Sequence, residues 1–388
     1  GIAIGSVVAS EDLLVPQAVG TDINCGMRLH TVGVTLDRFL AHRDAIVARL
    51  TGDYLLGTRD IVLGAPSVRA MFDGGLPDWV DAVRRDPRGT LARTDLAAIA
   101  GENHRVYAAG ALPGDARWAP ETLVTGDQPK RDDGLATIGR GNHFVEVQVV
   151  DAIVDRHLAF DHGLRRGELA LMVHSGSRKV GKVVGSAWAA RAREAWPAGV
   201  RHPPSGIWPL SWTADPALCA AYLAAEATAA NYAFVNRALL AELFRVRLRE
   251  VLGDVDAPLV ADVPHNLTFL EDGRYVARKG ACPAHDGQLV LIPGSMGAPS
   301  FVAVGRGDRR FLQSASHGAG RAVRRQEMRG DRGPLGLDGV DCVTLRDERR
   351  VEEAPAAYKP VQDVIDAQVA AGTIAVVAVL RPVLTFKA

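Results

Sequence analysis

The stretch DPALCAAYLAAEATAANYAFVNRALLAELFRVRLREVLG, residues 215–253, decides how the rest of the chain is read. Asp215 can cap a helix N-terminus, and Pro216 suits the first turn, where no backbone N–H is needed. Leu218, Tyr222, Ala225, Ala229, Tyr232, Leu239, Leu243 and Leu248 keep one face apolar as far as Val251, and Gly253 closes the run. The pattern predicts a helix of thirty-odd residues. That is long for a globular helix, so a kink or break is expected within it.

Working outward, residues 36–50, 76–85 and 94–109 carry helical periodicity, and the Pro-, Gly- and Asp-rich segment 113–134 reads as a long surface loop. Residues 137–150 and 169–173 read as strands. The first 35 residues alternate apolar and polar positions between Gly and Pro, the pattern of short strands and functional loops, with Ile2-Ala3-Ile4 already strand-like. Beyond Asp254 come strands and Gly-rich loops, a last helix Pro360–Ala371 and a terminal strand Thr373–Phe386. No repeat or flexible linker divides the chain. The expectation is one large α+β unit over residues 1–388 with helical insertions.

Lys and Arg number 45 and Asp and Glu 45, so the net charge is zero. That excludes a histone-like polybasic chain and an acidic disordered one. Cys25, Cys219, Cys282 and Cys342 form no C-x-x-C pair, which argues against a disulfide scaffold and for a reducing, cytoplasmic setting. No apolar run approaches the roughly 18 residues of a membrane span. Gly176-Ser-Arg-Lys-Val-Gly181-Lys182 has the frame of a phosphate-binding loop, but Val183 stands where a Ser or Thr hydroxyl is needed. The dinucleotide fingerprint and the G-x-S-x-G elbow are absent.

Metal-ligand and nucleophile residue types recur in short motifs crowded with Gly, Asn and Ser. They are Asp22 and Cys25 in GTDINCGM, Asn142 and His143 in GRGNHFVE, His174 in HSGSR, His265 and Asn266 in PHN, and His317 in SHGAGR. Glycine lets backbone approach a ligand, and Asn and Ser orient it. No pair has the H-E-x-x-H or C-x-x-C frame, so spacing alone leaves a metal site open.

At these residues the chain resembles the RtcB family of RNA ligases. The matches run in order: AVGTDINCGMRL from Ala18, GRGNHFVEV from Gly139, HSGSR from His174, NYAFVNR from Asn231, His265-Asn266, and RKGA from Arg278. IPGSMG from Ile292, SHGAGR from Ser316, EAPAAYK from Glu353 and a closing Lys387 complete the series. Departures are modest. Arg140 replaces a small residue, Lys179-Val180 stands where Gly-Leu is common, and Ala388 replaces a final Gly. The family also has an upstream segment with an M-P-D-x-H motif, so a truncated start is expected.

The resemblance implies mixed or antiparallel sheets around a central metal cleft, with flanking helices and a long helical insertion. It implies two Mn²⁺ ions bridged by Cys25, one completed by Asp22 and His143, the other by His174 and His265. By ligand softness Zn²⁺ would suit Cys and His at least as well and should compete. His317 would attack GTP to form a covalent histidine–GMP. Asn142, Glu146, Asn266, Ser295 and Lys387 would contact the nucleotide, with Ala319 and Gly320 lining its pocket. Arg321 and Arg325, on one face if the chain is helical there, would hold RNA phosphate. The implied reaction joins an RNA 2′,3′-cyclic phosphate or 3′-phosphate end to a 5′-hydroxyl end in tRNA splicing or RNA repair, with an archease-type activator as a further partner. A metal-dependent RNA-end phosphodiesterase or phosphatase, and a non-catalytic RNA-binding accessory protein, remain the alternatives. Between Arg306 and Arg332 eight arginines face three acidic residues, and Arg178, Lys179 and Lys182 form a second basic cluster, so local charge leaves room for RNA.

Overall fold

A computed structural model describes residues 2–330 and 334–388. The segment 215–253 forms one helix, Pro216–Leu252, capped by Asp215 at the Leu218 N–H and closed at Gly253. The expected kink is absent. No Gly or Pro interrupts the helix after its first residue, and small alanines let neighbours pack closely around it. Nor is it apolar on one face only. From Ala225 to Val246 every residue is buried, so the helix is a spine through the core. Its polar residues are buried with partners: Thr228 with Asp115, Asn231 with Phe72 and Leu112, Asn236 with Ser175 and Gly176.

Against this helix lies a curled sheet. Its strands run in the order Leu289–Ile292, Ser300–Gly305, Ile374–Phe386, Phe144–Ile153, Glu168–Ser175, Gly26–Thr35 and Leu259–Pro264, each antiparallel to its neighbours. The short Cys342–Val343 strand adds to Ile374–Phe386 in parallel. The two end strands approach one another, so the sheet is nearly a barrel. One core fills the space between sheet and helices, and a second lies on the sheet's other face around Met27, Val150, Ile292 and Val377. A small three-stranded sheet of Ser6–Ser10, Arg274–Lys279 and Asn266–Glu271 stands beside it.

Several boundaries differ from expectation. The first strand begins at Ser6, with Ile4 and Gly5 in a turn. The strand expected from residue 137 starts at Phe144, because the Gly139–Asn142 stretch bends the chain. Helical structure over 94–109 shrinks to Leu96–Gly101 and short 3₁₀ turns, while the helix expected at 76–85 extends back to Ala65 across a non-helical Gly75.

Candidate active site

Strand register gathers the cluster. Gly26 pairs with both Ser175 and Pro264, and Phe144 pairs with His174. Cys25 and His143 immediately precede their strands, His174 stands near the end of its strand, and His265 immediately follows its own. Four residues far apart in sequence therefore meet at one end of the sheet. Cys25 Sγ lies 3.1 Å from His143 Nε2 and 3.3 Å from His174 Nε2. His174 Nε2 lies 3.3 Å from His265 Nε2, and His143 Nε2 lies 2.9 Å from an Asp22 carboxylate oxygen.

Two groups able to hold a cation share Cys25: one with Asp22 and His143, the other with His174 and His265. Tetrahedral metal–sulfur and metal–nitrogen bonds of about 2.3 and 2.0 Å give ligand-to-ligand edges of roughly 3.3–3.6 Å, close to the spacing seen. The donor set fits one or two divalent cations. The Nδ1 atoms of His143, His174 and His265 are buried without a protein partner.

Burial, reinforced by neighbouring imidazoles, holds His174 and His265 well below the usual imidazole range. Both are neutral ligands at physiological pH. Burial pushes Asp22 upward, but the His143 ring, the Cys25 thiol and Arg178 outweigh it, so its carboxyl lies below the usual range. Burial, then Asp22, drives the Cys25 thiol well up without a cation.

Beneath the cluster lies a group that sequence reasoning did not assign. Arg237 of the central helix is fully buried and donates to both Asp262 carboxylate oxygens, to the carbonyls of Asn24 and Ser175, and to the Asn24 side chain. Asn24 precedes Cys25 and holds φ at +51°, and its amide also donates to the Ala230 carbonyl. Ser175 follows His174. One guanidinium thus clamps the loops that carry two of the ligands. The available signal was a charged residue among apolar helix neighbours, Phe234 and Leu240.

His317 stands beside the cluster, its ring centroid 4.3 Å from that of His265 and 6.4 Å from that of His174. Its Nδ1 is 2.6 Å from the Gly280 carbonyl. Only an Nδ1–H can donate there, so Nε2 carries the free lone pair. Burial lowers its pKa and keeps the ring neutral. Gly280 is required here: it holds φ at +65°, and a Cβ would sit 2.9 Å from His317 Cε1 and 2.3 Å from Ile4.

A cavity opens next to His317. Asn142, Glu146, Ser295, Ala319, Gly320 and Lys387 all line it, as do Arg321 and Arg325. Asn266 does not. Its amide donates to the Asp22 carbonyl and its oxygen accepts the Gly280 N–H, so it braces both the metal loop and the histidine loop. Burial raises Glu146 to about 7, and Thr385 and Gln148 donate to it. Lys387 is buried, its Nζ 3.4 Å from the Gly141 carbonyl and 3.8 Å from Glu353. The strand Ile374–Phe386 leads directly into it and brings it to the cavity wall.

Arg321 and Arg325 converge, though not through a helix. Arg321 lies in an isolated bridge to Tyr358, and Arg325 begins a 3₁₀ turn. Buried Glu353 brings them together, 3.3 Å from Arg321 and 3.0 Å from Arg325. Part of the basic stretch from Arg306 is likewise paired, Arg310 with Asp308 and Arg329 with Glu352, while Arg306, Arg309 and Arg324 are exposed. Arg332 lies outside the described residues. The near-miss phosphate loop does join a strand to a helix, Arg178–Glu194, but its glycines serve packing. A Cβ on Gly181 would lie 2.8 Å from the Thr21 carbonyl, so this frame presses the helix against the Asp22 loop.

Fold and site describe an α+β protein whose open cleft sets a free imidazole beside a cysteine–histidine cation cluster. The chain belongs to the tRNA-splicing ligase RtcB family, whose model matches residues 1–388. It is 31% identical to the tRNA-splicing ligase RtcB of Archaeoglobus fulgidus, over 98% of this chain and 84% of that protein. It is 32% identical to the RNA-splicing ligase RtcB of Mycobacterium tuberculosis, over 98% of this chain and 93% of that one. Among the described residues no helix is long and apolar enough to cross a membrane.

Proposed function

We propose that the chain ligates RNA through a covalent histidine–GMP, using GTP and two Mn²⁺ ions. The observation that carries this reading is the tautomer of His317. Its Nδ1–H is committed to Gly280, which leaves Nε2 as a neutral nucleophile at the wall of the cavity. Nε2 attacks the α-phosphorus of GTP. A P–N bond forms, the P–O bond to pyrophosphate breaks, and pyrophosphate leaves. Glu146, when ionised, accepts guanine N–H groups in the cavity, and Lys387 supplies a cation nearby. Asp22, Cys25, His143, His174 and His265 hold the metal ions, whose chemistry when bound is to neutralise charge on the phosphates.

An oxygen of an RNA 3′-phosphate then takes GMP from His317, restoring the free imidazole. Water first opens a 2′,3′-cyclic end to that 3′-phosphate. A 5′-hydroxyl attacks the activated phosphorus, forms the new phosphodiester and expels GMP. Arg321 and Arg325 face the same cavity and can grip the terminal phosphate. With Mn²⁺ and α-labelled GTP the protein should carry an acid-labile label that His317→Ala removes. A wild-type protein that takes no label, or a variant that keeps it, overturns the reading.

A further inference from the structure

The structure assigns the exposed face of the helix Arg178–Glu194 as a docking surface for the RNA strand that leads away from the ligation site. This rests on the RNA-ligase reading above and extends it. Arg178, the first residue, belongs to the site. Its Nε donates to Thr137, and it is among the charges acting on Asp22. Lys179, Lys182, Ser186 and Arg193 follow at spacings of three, four and seven residues. At about 100° per residue they fall within an arc of roughly 60°. All four are exposed, while Val180, Val184, Trp188 and Ala192 turn inward.

The cations of this face have not been neutralised. No described acidic residue forms an ion pair with Lys179, Lys182 or Arg193, whereas Arg321, Arg325 and Arg329 are held by Glu352 and Glu353. The helix carries one acidic residue, Glu194, at its end. Lys179 to Arg193 spans about 21 Å, the length of roughly six stacked nucleotides at 3.4 Å each.

The far end offers aromatic surface: the Arg193 guanidinium lies 5.6 Å over half-buried Trp208. A row of cations without carboxylate partners, ending on an aromatic ring, is the combination that tracks a single strand without reading its sequence. It starts at the Asp22 loop, so a strand leaving the site reaches it without a break.

The test uses the full chain with Lys182→Gln/Arg193→Gln. Label from GTP alone reports whether the variant is folded. Binding of a 5′-hydroxyl RNA of about twelve nucleotides and of one of about three is measured by anisotropy across salt. The longer RNA should bind the variant more weakly. The slope of log affinity against log salt should become shallower by about 1.4, or 0.7 for each cation removed. The shorter RNA should be unaffected. Equal affinity and slope for wild type and variant overturn the surface, as does an equal loss on the short RNA. Displacement by an acidic polypeptide with unchanged RNA binding also overturns it, in favour of a protein partner. If the wild type takes no label from GTP but the RNA result holds, the ligation chemistry fails and the surface stands.

Discussion

Removing the guanidinium of Arg237 separates the stability of the cluster from its ability to hold metal. Arg237→Met keeps an unbranched apolar stem of similar reach and deletes the charge. Asp262 then stays buried with Arg28 at 3.2 Å as its remaining cation, and the Asn24 and Ser175 carbonyls lose their donor. Breaking a buried pair from one side costs about 3–5 kcal/mol. With an unfolding entropy near 2.1 cal/mol/K per residue over 388 residues, that lowers Tm by about 4–6 °C. The second effect is local. Asn24 keeps the Ala230 carbonyl but loses the guanidinium on its own carbonyl and side-chain oxygen, so its hold on φ at +51° weakens and Cys25 moves with it. Metal affinity should fall about 10- to 100-fold, as for other groups that orient ligands from behind. Calorimetry gives the first quantity. Titration with Co²⁺, read by its thiolate charge-transfer band, gives the second. A variant that melts early but binds Co²⁺ with wild-type affinity and spectrum would refute the clamp and leave Arg237 an ordinary core ion pair.

Three shorter predictions follow from the same geometry. Gly280→Ala places a methyl against His317 and strains a left-handed backbone, so GTP labelling should slow by about 100-fold, as expected for displacement near 1 Å; near-normal rates would show that the loop yields. Glu146 rises from 4.5 to about 7 on folding, so its contribution to stability is complete below pH 4.5 and is lost as pH climbs to about 7. Glu146→Gln should therefore gain up to about 3 kcal/mol over wild type at pH 8 relative to pH 4.5, seen in melts across pH, while GTP loses its advantage over other nucleotides; parallel pH curves would deny the buried carboxyl this role. Zn²⁺ added to the Mn²⁺-loaded protein should suppress labelling by displacing Mn²⁺, since thiolate and imidazole favour zinc; full activity in excess Zn²⁺ with the metal bound would count against the shared cluster.

Much of the site was legible because its chemistry is written in rare residue types. Cys25, His143, His174, His265 and His317 stand out in glycine-rich motifs, and all five meet in space. What the motifs could not convey is which side chain bonds which. Asn266 sits beside a ligand and looks equally suited to touch nucleotide, yet both ends of its amide are committed to backbone. Arg321 and Arg325 reach one place for a reason that local periodicity does not hold, namely Glu353 from a distant turn. The central helix misled in a different way. Length argued for a kink or break, but the helix runs uninterrupted from Pro216 to Leu252, enclosed on every side between Ala225 and Val246.

The equal totals of acidic and basic residues acquire meaning only when the pairs are drawn. Counting along the chain made residues 306–332 the basic region, because Glu352 and Glu353 lie too far away in sequence to enter the sum. In space those carboxylates hold Arg321, Arg325 and Arg329, so Arg321 and Arg325 reach the cavity already oriented, while Arg306, Arg309 and Arg324 stay exposed. A held arginine can grip one terminal phosphate in a fixed place, because its geometry is set before the ligand arrives. A free lysine cannot position anything so closely, but it attracts a chain of phosphates over many angstroms and releases it as salt rises. The site needs the first kind where bonds are made, and the helix Arg178–Glu194 offers the second kind where the strand departs. On that division Arg325→Ala should depress ligation even with saturating RNA, whereas loss of Lys182 should be overcome by raising the RNA concentration.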